Sequence, residues 1–189
     1  MRVIGGQWRG RRLNAPRGDA VRPTTDRVKE AVFSILGDRV EGAVVLDLCC
    51  GAGGLGIEAL SRGAARAVFV DADRGALAAA RANLWACGAD AATWQLVQAQ
   101  APAWLAAWRP PDAPWLLLAD PPYATDVAAA LVPAVEALAR HPRFRCAVLE
   151  TGVRSPALPG GLCTRDERRY GETVITILEP AEAWRREDP

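Results

Sequence analysis

The sequence predicts an α/β domain, a mostly parallel seven-stranded sheet with helices on both faces. Three observations carry this. Between residues 43 and 150, short apolar runs of strand length alternate with longer stretches of helical period. A glycine-rich stretch, Gly51-Ala52-Gly53-Gly54-Leu55-Gly56, follows directly on the first of those strands. Two further apolar runs close the chain as a hairpin and add an antiparallel edge.

At the N-terminus, residues 2–5 and 8–13 read as two short strands around Gly5-Gly6, a small hairpin. Residues 14–23 hold Pro16, Gly18 and Pro23 and read as loop. A helix capped by Thr24 or Thr25 runs through Val28, Ala31, Val32 and Ile35 to Leu36, and Gly37 stops it. Strand 43–48 leads to helix 55–62, ended by Gly63. Strand 67–70 leads to helix 74–86, ended by Gly88. Strand 93–98 leads to the short helix 102–108. Strand 115–119 leads to helix 127–140, and strand 145–150 follows. The closing strands lie near 162–169 and 173–178, around Arg169-Tyr170-Gly171. The expected organisation is a basic N-terminal arm over 1–20, one domain over 21–180 and a frayed tail over 181–189.

Composition narrows the function classes. The chain has 189 residues, half of them hydrophobic, enough for one domain with a sizeable core. No apolar run is long enough to cross a membrane, and the first residues lack the apolar centre of a signal peptide. The cysteines, at 49, 50, 87, 146 and 163, show no Cys-x-x-Cys spacing. Neither a disulfide framework nor a metal site is expected, and a reducing, cytoplasmic setting is. The one histidine, His141, precedes a proline at a helix end and reads as a surface or capping residue, leaving no Ser-His-Asp arrangement. With no obvious apolar patch, a monomer is expected.

The net charge of +1 conceals an asymmetry. Residues 1–29 carry Arg2, Arg9, Arg11, Arg12, Arg17, Arg22, Arg27 and Lys29 against Asp19 and Asp26. A basic arm on a slightly acidic body points to a polyanionic partner.

The chemistry gathers at strand ends, where ligands of such sheets bind. Gly51, Gly53 and Gly56 let the backbone approach a ligand and turn sharply into a helix. Asp71 ends the second strand, where an acid can accept both ribose hydroxyls. This half therefore predicts an adenosine-containing cofactor, either NAD or S-adenosylmethionine. Asp47, just before the glycines, would repel a pyrophosphate and attract an ammonium group, which favours S-adenosylmethionine. The fourth strand ends in Asp120-Pro121-Pro122-Tyr123. The prolines stiffen this turn and remove backbone donors. It offers a carboxylate, bare carbonyls and an aromatic face, a set suited to a flat ring bearing an exocyclic amine.

These residues carry a family resemblance. Residues 45–60 resemble the cofactor loop of class I methyltransferases, which have a Rossmann-like fold, and 120–123 resemble their amino-methylating motif. Met1–Leu13, Arg22-Pro23-Thr24-Thr25-Asp26-Arg27-Val28 and Arg169-Tyr170-Gly171-Glu172-Thr173 are similar to the bacterial 16S rRNA guanine-N2 methyltransferase family. The resemblance covers residues 1 to about 180. It implies methyl transfer from S-adenosylmethionine to the exocyclic N2 of a guanine in 16S rRNA, as naked RNA or within the assembling small subunit. It assigns catalysis to Asp120, Pro121, Pro122 and Tyr123. Cofactor binding falls to Thr24, Asp47, Cys49, Gly51, Gly53, Gly54, Asp71, Ala72, Gln100 and Asp120. RNA binding falls to Arg9, Arg11, Arg12, Arg17, Arg22, Arg27 and Tyr170.

Three positions depart from the family pattern. Asp71 stands where Glu is usual, Gln100 where an acid reaches the adenine amine, and Cys49-Cys50 where an aromatic and a small residue are usual. A glutamine oxygen still accepts from an amine, with less electrostatic pull. The alternatives are a DNA adenine-N6 methyltransferase, which also has Asp-Pro-Pro-Tyr but needs a target-reading region, a protein glutamine methyltransferase, where Asn is more usual at 120, an NAD-dependent oxidoreductase and a non-catalytic RNA-binding or assembly factor.

Overall fold

The computed structural model describes residues 1–14, 26–122, 126–152 and 162–180. Within them the order is α1 (Asp26–Leu36), β1 (Val44–Leu48), α2 (Gly54–Ser61), β2 (Arg66–Asp71), α3 (Arg74–Cys87), β3 (Trp94–Gln98), α4 (Ala101–Ala107), β4 (Trp115–Ala119), α5 (Val127–Ala139), β5 (Phe144–Gly152), β6 (Leu162–Tyr170) and β7 (Thr173–Pro180). The seven strands form one sheet in the order β3-β2-β1-β4-β5-β7-β6. The first five strands run parallel, and β7 inserts antiparallel between β5 and β6. The observed elements match the predicted ones to within a residue or two. The largest overruns are two residues each, in β5, whose pairing with β7 continues to Gly152, and in β7, which runs to Pro180.

The sheet is covered on both faces, as a parallel sheet must be. Val45, Phe69, Leu116, Leu118 and Val148 point into one core with α1, α2 and α3. Leu46, Leu48, Leu117 and Leu149 point into a second core with α4 and α5. Central β4 is the unbroken apolar run Trp-Leu-Leu-Leu-Ala and is buried throughout. Burying each leucine there contributes roughly 1.5–3 kcal/mol. The order of the strands reverses between β1 and β4, so the loops leaving these two strands diverge and open a crevice at the carboxyl edge.

The N-terminal segment departs from the expected hairpin. Its ends pair antiparallel through one bridge, Arg2 with Arg12, but residues 6–8 form a 3-10 turn. The reason lies in what Gly5-Gly6 approaches. A Cβ on Gly6 would sit 1.8 Å from the Ser61 carbonyl oxygen, so this backbone is pressed onto the end of α2. The Ile4 and Gly5 amides donate to the Glu58 carboxylate at 2.7 and 2.8 Å, not to a partner strand. Val3 and Leu13 are buried in the first core.

Glu58 is the hub of an internal ionic latch. It is fully buried on α2, accepts from Arg62 Nε at 2.8 Å and faces Lys29 Nζ at 3.6 Å. Lys29, also fully buried, donates to the Arg2 carbonyl. Burial lowers the Lys29 pKa, and the charges of Glu58 and Asp26 oppose that. Lys29 therefore leaves the basic surface that the charge pattern predicted, and Arg2 is paired with Asp26 at 2.8 Å. Arg9, Arg11, Arg12 and Arg27 remain exposed, and none forms a salt bridge among the described residues.

Candidate functional site

The loops after β1, β2, β3 and β4 meet at the carboxyl edge and are laced together. Cys50 N donates to Val70 O at 3.2 Å, Ala99 N to Asp71 O at 3.0 Å, and Asp120 N to Leu48 O at 3.3 Å. The glycine-rich turn takes positive φ at Gly51 (53°) and Gly53 (81°), where glycine is favoured. Cys49 also has positive φ, 55°, the only non-glycine among the described residues to do so. A Cβ on Gly51 would meet nothing within 4 Å, which leaves that backbone open to a ligand.

Gly53 is the N-cap of α2 and has no side chain to offer. Asp47 substitutes for it from the sheet. Its Oδ2 accepts from Gly56 N at 2.8 Å, which satisfies one of the helix's unpaired amides and places a carboxylate at the positive end of the dipole. Gly56 is required here for packing, since a Cβ would lie 2.3 Å from the Phe69 ring and 2.9 Å from Asp47 Oδ2. Asp47 is buried, and its pKa is raised well above the usual carboxylate value, first by burial and then by the charges of Asp120 and Asp71, against the lowering effect of the Gly56 bond.

Asp71, half-buried, braces both neighbouring loops. Oδ2 accepts from Gly51 N and Oδ1 from Asp73 N, each at 2.9 Å. Asp73 in turn caps α3 through Gly75 N at 2.8 Å. Exposed Ala72 follows Asp71, and exposed Gln100, after the neighbouring strand β3, is the N-cap of α4. Asp120 is half-buried, Pro121 buried and Pro122 exposed. The register Leu48 with Ala119 sets Asp120 beside Cys49. The Cys49 thiol is pushed up to about 12, by burial first and then by Asp71, Asp120 and Asp47. Three carboxylates thus surround one point of the crevice, and neither Asp47 nor Asp71 has a cationic partner among the described residues. That arrangement is prepared for a ligand carrying positive charge.

The structure brings Asp47, Cys49, Gly51, Gly53, Gly54, Asp71, Ala72, Gln100, Asp120, Pro121 and Pro122 to one edge. Tyr170, half-buried at the turn between β6 and β7, shares that edge through the pairing of Thr173 with Gly152. Thr24, Tyr123, Arg17 and Arg22 lie outside the described residues. His141 sits at the opposite edge, where Nδ1 accepts from Trp115 Nε1 at 3.4 Å.

Sequence reading missed the connection between the N-terminal segment and the glycine loop. Buried Asn83 of α3 accepts from Asn14 N at 2.8 Å and donates to Asn14 O at 2.9 Å and Ala52 O at 3.0 Å. The Met1 thioether abuts Gly54, where a Cβ would come within 2.6 Å of its sulfur. An asparagine in an alanine-rich helix was the available signal.

Comparison with known proteins places these features. The family model described as Conserved hypothetical protein 95 matches residues 1–179. The curated Ribosomal RNA small subunit methyltransferase D of Escherichia coli strain K12 is 51% identical over 74 residues, 39% of this chain and 37% of that protein. A curated rRNA methyltransferase of Bacillus subtilis, provisionally named as YlbH, is 51% identical over 84 residues, 44% of this chain and 46% of that protein. The matched stretch thus spans less than half the length of these curated relatives. Among solved structures, a provisionally named methyltransferase, yhhF, from Escherichia coli superposes with a TM-score of 0.78 at 30% identity, covering 95% of this chain and 97% of that one. A hypothetical protein of Thermus thermophilus gives 0.76 at 29%, covering 95% and 99%. The chain belongs to the Conserved hypothetical protein 95 family, and its fold is that of the class I methyltransferases.

Proposed function

We propose that this member of the family transfers a methyl group from S-adenosylmethionine to the exocyclic N2 of a guanine in 16S rRNA. The observation that carries the reading is the grouping of Asp47, Asp71 and Asp120 around Cys49, next to the stiff Asp-Pro-Pro turn. A sulfonium cofactor with an ammonium group fits that charge, whereas a pyrophosphate does not. The names of the curated relatives, both rRNA methyltransferases, support the substrate class.

The residues that would hold the cofactor are Asp47 and the Gly51–Gly54 backbone at its amino-acid end, Asp71 at the ribose and Gln100 at the adenine. Thr24 and Ala72 complete the set. When bound, it supplies a methyl group on a positively charged sulfur. Asp120 and the Pro121 carbonyl accept from the two N–H groups of the guanine amine. They would orient the amine nitrogen toward the methyl group the cofactor supplies, and Asp120 or water would take the proton that the nitrogen gives up. Tyr123 stacks on the base, which must be turned out of its RNA context to reach the edge. Arg9, Arg11, Arg12, Arg17, Arg22 and Arg27 grip phosphates, with Tyr170 beside the same edge. The protein works as a cytoplasmic monomer.

The test is methyl transfer from labelled S-adenosylmethionine to unmodified small-subunit particles, naked 16S rRNA, large-subunit rRNA and duplex DNA, with digestion of the product to nucleosides. N2-methylguanosine from small-subunit material alone is expected. N6-methyladenine in DNA, or no transfer to any of them, contradicts the reading.

A further inference from the structure

Trp85 stands out on the surface. It is the one large apolar side chain exposed among the described residues, at 64%. Leaving an indole in water forfeits the largest burial gain any side chain offers. No part of the site at the carboxyl edge explains it, since Trp85 lies near the far end of α3.

Its surroundings are specific. Helix α3, Arg74–Cys87, contains two arginines and no acid. Arg74, Ala78, Arg81 and Trp85 are all exposed and follow one another at spacings of four, three and four, so they form one outward stripe. The Arg81 guanidinium lies 6.0 Å from the Trp85 ring centroid. The exposed neighbours Ala82 and Ala86 are short, so the ring stands proud of the helix. A second basic residue arrives from the N-terminal segment, where Arg11 Nη1 donates to the Ala86 carbonyl at 2.6 Å. The segment itself is fixed by the bonds between Asn14 and Asn83. Two remote parts of the chain therefore bring cations to the stretch of α3 that carries the exposed aromatic: Arg81 beside its ring, and Arg11 at the carbonyl of the next residue. The stripe starts at Arg74, three residues beyond Asp71, and runs the length of a 14-residue helix, roughly 20 Å.

We propose that this face of α3 is a stacking site for an unpaired base of the RNA substrate, with Trp85 as the platform and Arg81 and Arg11 as flanking phosphate contacts. Aromatic rings bordered by arginines bind single strands because every base has a π face and every linkage a negative charge. The absence of acids on α3 supplies the charge complementarity. The inference rests on the RNA reading above and extends it to a surface away from the reacting edge, which would hold the flanking strand while the target base is turned out.

Wild type, Trp85→Ala, Trp85→Phe and Arg81→Ala are compared on a labelled single-stranded oligoribonucleotide of mixed sequence and on unmodified small-subunit particles. Trp85→Ala is expected to weaken oligonucleotide binding roughly tenfold. Trp85→Phe recovers most of that loss. The salt dependence is unchanged in Trp85→Ala, whereas Arg81→Ala lowers the slope by about 0.7. Ultraviolet crosslinking of the wild type, mapped by peptide fragmentation, places RNA on Trp85, and Trp85→Ala removes that adduct. Unfolding temperature and cofactor affinity stay at wild-type values in all variants, which separates recognition from misfolding. Wild-type oligonucleotide affinity in Trp85→Ala overturns the proposal. So does a loss confined to particles, which assigns the patch to a protein partner. If the wild type methylates particles while Trp85→Ala binds RNA normally, only this inference falls. If binding depends on Trp85 but no substrate is methylated, the stacking site stands and the catalytic reading falls.

Discussion

The loops leaving β1 and β2 are held by hydrogen bonds, and the turn leaving β4 by its own covalent stiffness. On the first side, Asp47 and Asp71 receive three backbone amides, at Gly56, Gly51 and Asp73. On the second, Pro121 and Pro122 have no amides to give, and Asp120 N donates to Leu48 O, tying the turn to β1. The difference divides the labour. Carboxylates already engaged with backbone shape a cradle and add charge to it, which suits binding. A turn whose two prolines bring no amides, beside a carboxylate, suits accepting from an amine. Changes on the β1 and β2 side should therefore alter affinity or stability, and changes at Asp120 should alter turnover.

The largest effect on the fold is expected at Glu58, which ties the N-terminal segment to α2. Glu58→Ala leaves Lys29 buried without its partner and should cost about 3–5 kcal/mol. Urea unfolding measures this, and the double change with Lys29→Met should recover part of the loss. Asp71→Ala removes an acceptor from two loop amides. It should weaken S-adenosylmethionine binding roughly 10- to 100-fold by calorimetry, with transfer at saturating cofactor little changed. A matching fall in saturated turnover would blur the division.

Asp47 gives a pH test. Its folded pKa is raised above the unfolded value, so the folded chain takes up a proton there more readily. Stability from this group is therefore lost as pH rises from the unfolded pKa toward the folded one. Asp47→Asn removes that loss and keeps an oxygen for Gly56. Its stability relative to wild type, read by urea unfolding without cofactor, should improve as pH rises above the ordinary carboxylate range. A pH-independent difference would contradict the burial of an ionising carboxyl. The smallest effect is expected at Gln100, which is exposed. Gln100→Glu should tighten cofactor binding by roughly two- to fivefold through a charge-assisted bond screened by solvent.

Much of this architecture was legible in the chain, for local reasons. The Trp115–Ala119 run marks a central strand, and Gly88 ends α3 in the left-handed conformation that its identity suggests. The closing hairpin turns at Gly171 as read. What was not legible depends on contacts distant in sequence. Lys29 counted as a surface cation because nothing near it in the chain signals a buried acid, and its partner Glu58 comes from a different helix. Gly5-Gly6 looked like a hairpin turn because a close approach to Ser61 has the same local signature. Asp47 was read as a ligand contact only, since its capping of α2 requires knowing that β1 passes beneath that helix. The glycine-rich turn and the three acids at the strand ends were visible in the sequence, but not the placing of Cys49 among those acids, which depends on β1 lying between β2 and β4.

Asp120→Ala tests the division most directly, with S-adenosylmethionine affinity and methyl transfer to small-subunit particles measured on the same preparation. Affinity should stay within a few-fold of wild type while saturated transfer falls by roughly 100-fold or more, as when a positioned transition-state acceptor is lost. Near-normal transfer, or affinity and transfer falling together, would contradict the account.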